Sequence, residues 1–246
     1  MTCPRIRRVE IELVQPLPHS RQPLEVALDG DRLNAQVYAP EGRRPSEVFV
    51  LAHGAGAGQF SSFIVRLAGE LSGRGIGVVT FDFPYMQQGK RAPDRAPRLE
   101  SSYRAVIGEV IARNASAKLF IGGKSLGGRI ASHLAAADDA LAARISGLIC
   151  LGYPLHPPGA RERLRDAHLP RIRAPVLIVQ GERDAFGSPD EIRSAIRSMS
   201  APVDLLAIEG GDHSLSIPKR GPATQEEIYR RVEEHIVSWM GAQAKA

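Results

Sequence analysis

The chain has 246 residues, 43% of them hydrophobic and 24% charged, with a formal net charge of +5 at pH 7. That length buries a full core without disulfide or metal staples, and the composition leaves no room for extended disorder. The positive excess lies on arginines scattered along the chain without interleaved aromatics, which argues against nucleic-acid binding.

Two cysteines, Cys3 and Cys150, suggest no disulfide framework and favour a reducing compartment. The basic residues 1–8 precede no apolar core of the kind a secretory signal needs, and no window reaches the length of a membrane span. A cytoplasmic protein is expected.

Residues 1–20 read as an N-terminal extension. Predicted strands at 26–28 and 33–38 flank Asp29-Gly30-Asp31, a tight-turn signal, so an antiparallel hairpin opens the sheet. A short apolar strand at 48–52 runs into the glycine-rich loop His53-Gly54-Ala55-Gly56-Ala57-Gly58. A helix with Phe63, Ile64, Leu67 and Leu71 on one face follows, stopped by Gly73 and Gly75.

The next strand, 77–83, is ended by Pro84, and a polar loop over 86–97 leads to a helix carrying Tyr103, Val106, Ile107, Val110 and Ile111. A strand through Leu119, Phe120 and Ile121, a turn at Ser125 and a helix with Ile130 and Leu134 come next. Strands at 145–151, 175–180 and 203–208 follow, with a short helix through Ile192 and Ile196 whose expected N-cap is Asp190. Thr224 with Glu227 forms a capping-box pattern before a last helix that buries Ile228, Val232, Ile236 and Trp239.

Alternating strands and helices require crossovers, so the expected fold is a mostly parallel, doubly wound α/β sheet with an N-terminal antiparallel hairpin. The stretch between the strands ending near Leu151 and starting at Pro175 is too short for a folded cap domain. One domain spanning 1–246 is expected, without internal repeats.

Ser125 sits in Gly123-Lys124-Ser125-Leu126-Gly127, a G-x-S-x-G pentad between an apolar strand and an amphipathic helix. The pentad alone is weak, since a chain rich in Gly and Ser produces it by chance. The strand-to-helix context gives it meaning: the turn strains the serine backbone and holds its hydroxyl clear, and only glycines fit two residues either way. A serine hydroxyl needs a base, and the base needs an orienting acid.

Asp184 lies just past the strand ending at Gln180, and His213 lies just past the strand ending at Ile208, in the order Ser, Asp, His. Glu182 is two residues nearer its strand, and Asp212 adjoins the histidine and cannot easily face the far side of its ring. His53 begins a glycine loop and reads as a packing residue. The expected oxyanion donors are the N–H groups of Leu126 and Ala55.

Gly123-Lys124-Ser125 resembles the end of a phosphate loop, but Lys118 stands where that motif needs its first glycine. Gln59 likewise stands where a dinucleotide fingerprint needs its third. Neither a cofactor nor a metal is expected. The expected partner is a small acyl substrate, with His53, Gly54, Tyr85, Lys124, Tyr153, His156 and Phe186 as candidate pocket residues. Two dense basic segments follow strand ends: Lys90, Arg91, Arg95 and Arg98, then Arg161, Arg163, Arg165, Arg171 and Arg173. They predict a preference for anionic substrates.

The elbow Gly-Gly-Lys-Ser-Leu-Gly-Gly-Arg, Phe81-Asp82-Phe83-Pro84-Tyr85 and Leu151-Gly152-Tyr153-Pro154-Leu155-His156 resemble one α/β-hydrolase group. It is the hydrolase-like domain shared by testis-expressed protein 30 and the third subunit of the NSL acetyltransferase complex, with bacterial relatives near the dienelactone hydrolases. The resemblance runs from about Val48 to the C-terminus. It implies the α/β-hydrolase fold, with Ser125, Asp184 and His213 at the triad positions, and little about substrate. Dienelactone hydrolases proper carry a cysteine where this chain has Ser125. The complex-subunit relatives also imply an alternative, a non-catalytic scaffold on the same fold.

Overall fold

The computed structural model describes residues 19–245; Cys3 and the basic residues 1–8 lie outside them. Among these residues, eight strands form one sheet in the order β1-β2-β4-β3-β5-β6-β7-β8. Strands β1 (His19–Leu28) and β2 (Asp31–Pro40) are antiparallel, joined through Asp29 and Gly30 at φ of 43° and 82°. Two successive positive φ values are what a tight hairpin turn demands, and Asp-Gly supplies them. Strand β2 is also antiparallel to β4 (Gly77–Phe81). The remaining pairs, through β3 (Glu47–Ala52), β5 (Lys118–Lys124), β6 (Ile145–Leu151), β7 (Val176–Gly181) and β8 (Val203–Ile208), are parallel.

Side-chain alternation along the strands builds two cores. In β3, Val48, Val50 and Ala52 face one side with Tyr103, Val106, Ile107, Ile130 and Leu134. Those residues belong to α3 (Ala96–Arg113) and α4 (Leu126–Ala135). Phe49 and Leu51 face the other side, under α1 (Ser62–Gly73) and α6 (Gln225–Lys245), with Ile64, Leu67, Ile228, Val232 and Trp239. After β3 the chain crosses one face to β4, then the opposite face to β5. The carboxyl ends of β3 and β5 therefore flank a switch point, where open parallel sheets bind ligands.

Three local expectations differ from the structure. Strand β1 begins at His19, inside the stretch read as an extension. Residues 21–23 are exposed and carry no apolar alternation, so only pairing with β2 makes them a strand. The strand predicted over 77–83 stops at Phe81, and Pro84 opens a single-turn helix, α2 (Pro84–Gln87), that runs into the start of the expected loop. Helix α5 (Pro189–Ala195) is capped by Ser188 rather than Asp190. Ser188 and Glu191 form the reciprocal box, and Asp190 pairs with Arg193 at 2.5 Å. The box expected at Thr224 and Glu227 is present, with bonds of 2.7 and 3.2 Å.

Candidate active site

Ser125 stands between β5 and α4 with φ 49° and ψ −112°, a conformation that costs a non-glycine residue of order 1–3 kcal/mol. Its neighbours enforce it. A Cβ on Gly123 would meet the Ala52 carbonyl oxygen at 2.3 Å, and one on Gly127 would meet the same oxygen at 2.5 Å. The end of β3 thus presses on both sides of the elbow. The Ser125 N–H donates to the Leu151 carbonyl at 3.0 Å, which ties the turn to β6.

Tyr103 braces the same region from below. Its buried hydroxyl lies 2.6 Å from the Val50 oxygen and 2.7 Å from the Gly122 oxygen, and accepts from the Gly122 N–H at 2.9 Å.

Asp184 and His213 arrive from the ends of β7 and β8. His213 Nδ1 lies 2.8 and 3.0 Å from the Asp184 carboxylate oxygens, and Nε2 lies 2.8 Å from Ser125 Oγ. An ionised carboxylate only accepts, so Nδ1 carries the proton and donates it to Asp184. The Nε2 lone pair then faces the serine hydroxyl, the arrangement a general base requires.

Asp184 is buried and fixed from two directions. Its oxygens accept from Gln180 Nε2 and from the Phe186 N–H, each at 2.8 Å. The competing carboxylates hold backbone instead. Glu182 accepts from the Gly210 N–H at 3.0 Å, while Asp212 accepts from the Ser214 and Ser216 N–H groups at 2.8 and 2.9 Å, bending the chain around His213.

The glycine loop lies against the nucleophile: a Cβ on Gly54 would sit 3.6 Å from Ser125 Cβ. His53 is buried beneath it. Its Nε2 accepts the Phe83 N–H at 3.0 Å, so Nδ1 carries the proton and donates to the Gly54 carbonyl at 2.7 Å. Burial pushes the His53 imidazole down, and its neutral form is the one these bonds need. The Tyr85 hydroxyl donates to the Ala55 carbonyl at 2.9 Å. In a trans peptide the N–H points opposite the C=O, so pinning the Gly54 oxygen inward turns the Ala55 N–H outward. Neither that N–H nor the one on Leu126 has a hydrogen-bond partner among the described residues.

A cavity of about 460 Å³ opens over Ser125 and His213. Gly54, Ala55, Lys124 and Phe186 line it, with Phe63 and Ile64 from α1 and Tyr229 from α6. The Phe63 and Tyr229 rings meet edge to face at 5.9 Å, and Phe186 leans on the His213 ring at 4.1 Å.

Four of the residues read as pocket candidates do not line this cavity. His53 and Tyr85 lie under the glycine loop, as above. Tyr153 is buried with its hydroxyl on the Arg165 carbonyl at 2.7 Å, and His156 is buried with Nδ1 on the Pro157 carbonyl at 2.9 Å. Large apolar rings after strand ends pack inward when a core is available, which the sequence pattern did not distinguish.

None of the arginines or Lys90 from the two basic segments lines the cavity either. Arg173 pairs with Asp138 at 3.2 Å, Arg161 lies 3.4 Å from Glu191, and Arg98 lies 3.8 Å from Asp94. Among the described residues the cation lining the cavity is Lys124, which donates to the His213 carbonyl and is pushed down to about 8 by burial. Among the described residues no group of three or more His, Cys, Asp or Glu side chains could hold a metal ion. No helix among them is long and apolar enough to cross a membrane.

Sequence reasoning missed Phe63 and Tyr229 as cavity walls, and Gln180 as the clamp on Asp184. Gln180 did carry a signal: a lone polar residue closing the apolar run of β7, fully buried and bonded on both amide atoms.

The comparisons with known proteins bear on the fold and the family. Among solved structures, the chain is similar to an alpha-beta serine hydrolase homologue from Coxiella burnetii (18% identity, 88% of this chain and 96% of that one, TM-score 0.69). It is also similar to a dienelactone hydrolase from Anabaena variabilis (18%, 88% and 96%, 0.68). A third is Est1E from Butyrivibrio proteoclasticus with ferulic acid bound (18%, 89% and 99%, 0.71). At these identities the likeness is one of fold. A family model described as an alpha/beta hydrolase domain matches residues 45–241, most of the sequence, and the chain belongs to that family.

Proposed function

We propose that the protein is a serine hydrolase that cleaves ester or thioester bonds of small substrates through an acyl-enzyme. The observation that carries this reading is the hydrogen-bonded line from Ser125 Oγ through the His213 ring to the Asp184 carboxylate, with both links at 2.8 Å. Ser125 Oγ attacks the carbonyl carbon while His213 Nε2 takes the hydroxyl proton. The tetrahedral oxyanion is held by the N–H groups of Leu126 and Ala55, each donor contributing about 2.7–4 kcal/mol. The C–O or C–S bond breaks, and the proton on Nε2 goes to the departing alcohol or thiol. Water then attacks the acyl-serine, giving its proton to Nε2, and the acid leaves as Ser125 recovers its own.

The lining favours a substrate uncharged next to its carbonyl. Phe63, Ile64 and Tyr229 offer an apolar wall, and among the described residues no arginine lines the cavity. A buried carboxylate without a partner costs more than the 1–3 kcal/mol of a neutral polar group. Kinship with the testis-expressed protein 30 group belongs to the same reading, supported by the Gly-Gly-Lys-Ser-Leu-Gly-Gly-Arg elbow. So does a reducing, cytoplasmic location, supported by the scarcity of cysteine and by a buried, unpaired Cys150.

The test is a fluorophosphonate probe on folded protein at neutral pH, beside a panel of neutral and carboxylated esters and thioesters. Ser125 should label, S125A should lose labelling, and its turnover should fall on the order of 10⁶-fold. A folded wild-type protein that takes no label and turns over no ester would leave the scaffold alternative standing.

A further inference from the structure

Lys124 precedes the nucleophile, and its side chain is spent in a way no part of the mechanism above requires. It runs past Gly54, where a Cβ would meet its Cγ at 3.6 Å, and ends on the backbone carbonyl of His213. Gly152, at φ 66°, makes the room: a Cβ there would lie 2.9 Å from Lys124 Nζ and 3.5 Å from His213 Nδ1. One point thus touches both nitrogens, which lie within about 6.4 Å of each other. The charged groups facing the ammonium are Asp184 from the loop after β7, and Asp212 and His213 from the loop after β8.

We propose that Lys124 is a positioning residue for the base, pinning the His213 loop to the residue before Ser125. The proposal rests on the reading of Ser125 and His213 as nucleophile and base.

The geometry has two consequences. First, one side chain couples the nucleophile and the base, which come from strands β5 and β8 with two strands between them. Without that tie the base loop meets the segment after β7 through the bonds of Gly210 and Gly211 to Glu182 and Arg183 and through the His213–Asp184 bond itself, none of which reaches the Ser125 side of the site. A misplacement of about 1 Å is enough to lower turnover about 100-fold, so a partial loosening lowers it about tenfold. Second, the tie holds the base and not the substrate wall, so its loss should appear in kcat rather than in KM. An arginine at 124 still carries N–H donors for the His213 carbonyl, so it should restore part of what an apolar side chain loses.

The experiment compares wild type, K124M and K124R by the rate of Ser125 labelling with a fluorophosphonate and by ester turnover, with thermal melts confirming folded protein. In K124M, kcat should fall about tenfold with KM within twofold. K124R keeps donors for the His213 carbonyl, so its kcat should lie within about threefold of wild type. The proposal is overturned if K124M keeps wild-type kcat, or if its loss falls on KM. A K124M protein that melts early, with K124R losing as much kcat as K124M, also overturns it, because Lys124 is then only a packing residue. If wild type neither labels nor turns over substrate, the hydrolase reading fails first and this one with it. A labelled wild type with an indifferent K124M sinks this proposal alone.

Discussion

Replacing one glycine by alanine should have opposite effects at two positions of this fold, and the difference measures how tightly β3 presses on the elbow. At Gly127, in the first turn of α4, a Cβ would lie 2.5 Å from the Ala52 oxygen, 2.7 Å from its carbonyl carbon and 2.8 Å from its Cβ. All of these sit on the end of β3, two of them are backbone, and real Cβ atoms do not approach closer than about 3.0 Å. The helix or the strand must therefore retreat by about half an ångström. Overpacking of this kind costs about 1–3 kcal/mol. Ser125 sits two residues before, so a shift of that size should lower kcat about tenfold, half the logarithmic penalty of a 1 Å displacement.

At Gly108, exposed in α3, nothing lies within 4 Å of the added atom. There alanine removes the conformational freedom of glycine from the unfolded chain and should stabilise by about 0.5–1 kcal/mol, with turnover unchanged. Urea unfolding midpoints at fixed m-value, beside ester kinetics, read both effects. A G127A protein with wild-type midpoint and kcat would show that the elbow tolerates the methyl group, and the account of Gly127 would be wrong.

Other outcomes follow from the same contacts. Tyr103→Phe should cost about 2–3 kcal/mol in urea unfolding, because it orphans the buried Gly122 N–H and removes a donor from the Val50 and Gly122 carbonyls; a loss below about 0.5 kcal/mol would contradict that network. Burial lowers Lys124 from 10.5 to about 8, so between those values the unfolded chain holds more protons than the folded one. This group's contribution to stability should therefore rise with pH over that window, and the rise should vanish in K124M; equal slopes in the two proteins would refute it. Phe63→Ala should raise KM for apolar esters about tenfold at nearly constant kcat, and a kcat loss with unchanged KM would remove Phe63 from the binding wall.

The parts of this molecule legible in its sequence are those fixed by local chemistry. The elbow needed glycines at 123 and 127 because β3 leaves no room there, and that demand is written in the pentad itself. Asp184 and His213 could be picked because each follows an apolar run that the structure makes a strand, β7 and β8. The cavity wall was not legible. Phe63 and Tyr229 are 166 positions apart and read as ordinary apolar-face and helix-surface residues until α1 and α6 meet.

The burial of Tyr85, Tyr153 and His156 was hidden for a related reason. A strand end predicts where a side chain starts, and the packing on either side of the sheet decides which way it goes. The basic segments misled because Arg161 turns to Glu191, while Arg173 stands just before β7 at the amino end of that strand and pairs with Asp138.

Arg66 fastens α1 to α6, reaching Glu226 at 2.6 Å and Glu233 at 2.8 Å and lying over the Tyr229 ring at 5.1 Å. That clasp has a meaning for biosynthesis. A ribosome that has released everything through His213 has made Ser125, Asp184 and His213, yet Phe120, whose ring meets Trp239 of α6 at 6.0 Å, still lacks that cover on one side of the sheet. Only when residues 225–245 swing onto that face does Tyr229 complete the slot beside Phe63. The wall beside Ser125 is therefore assembled after the residues it encloses.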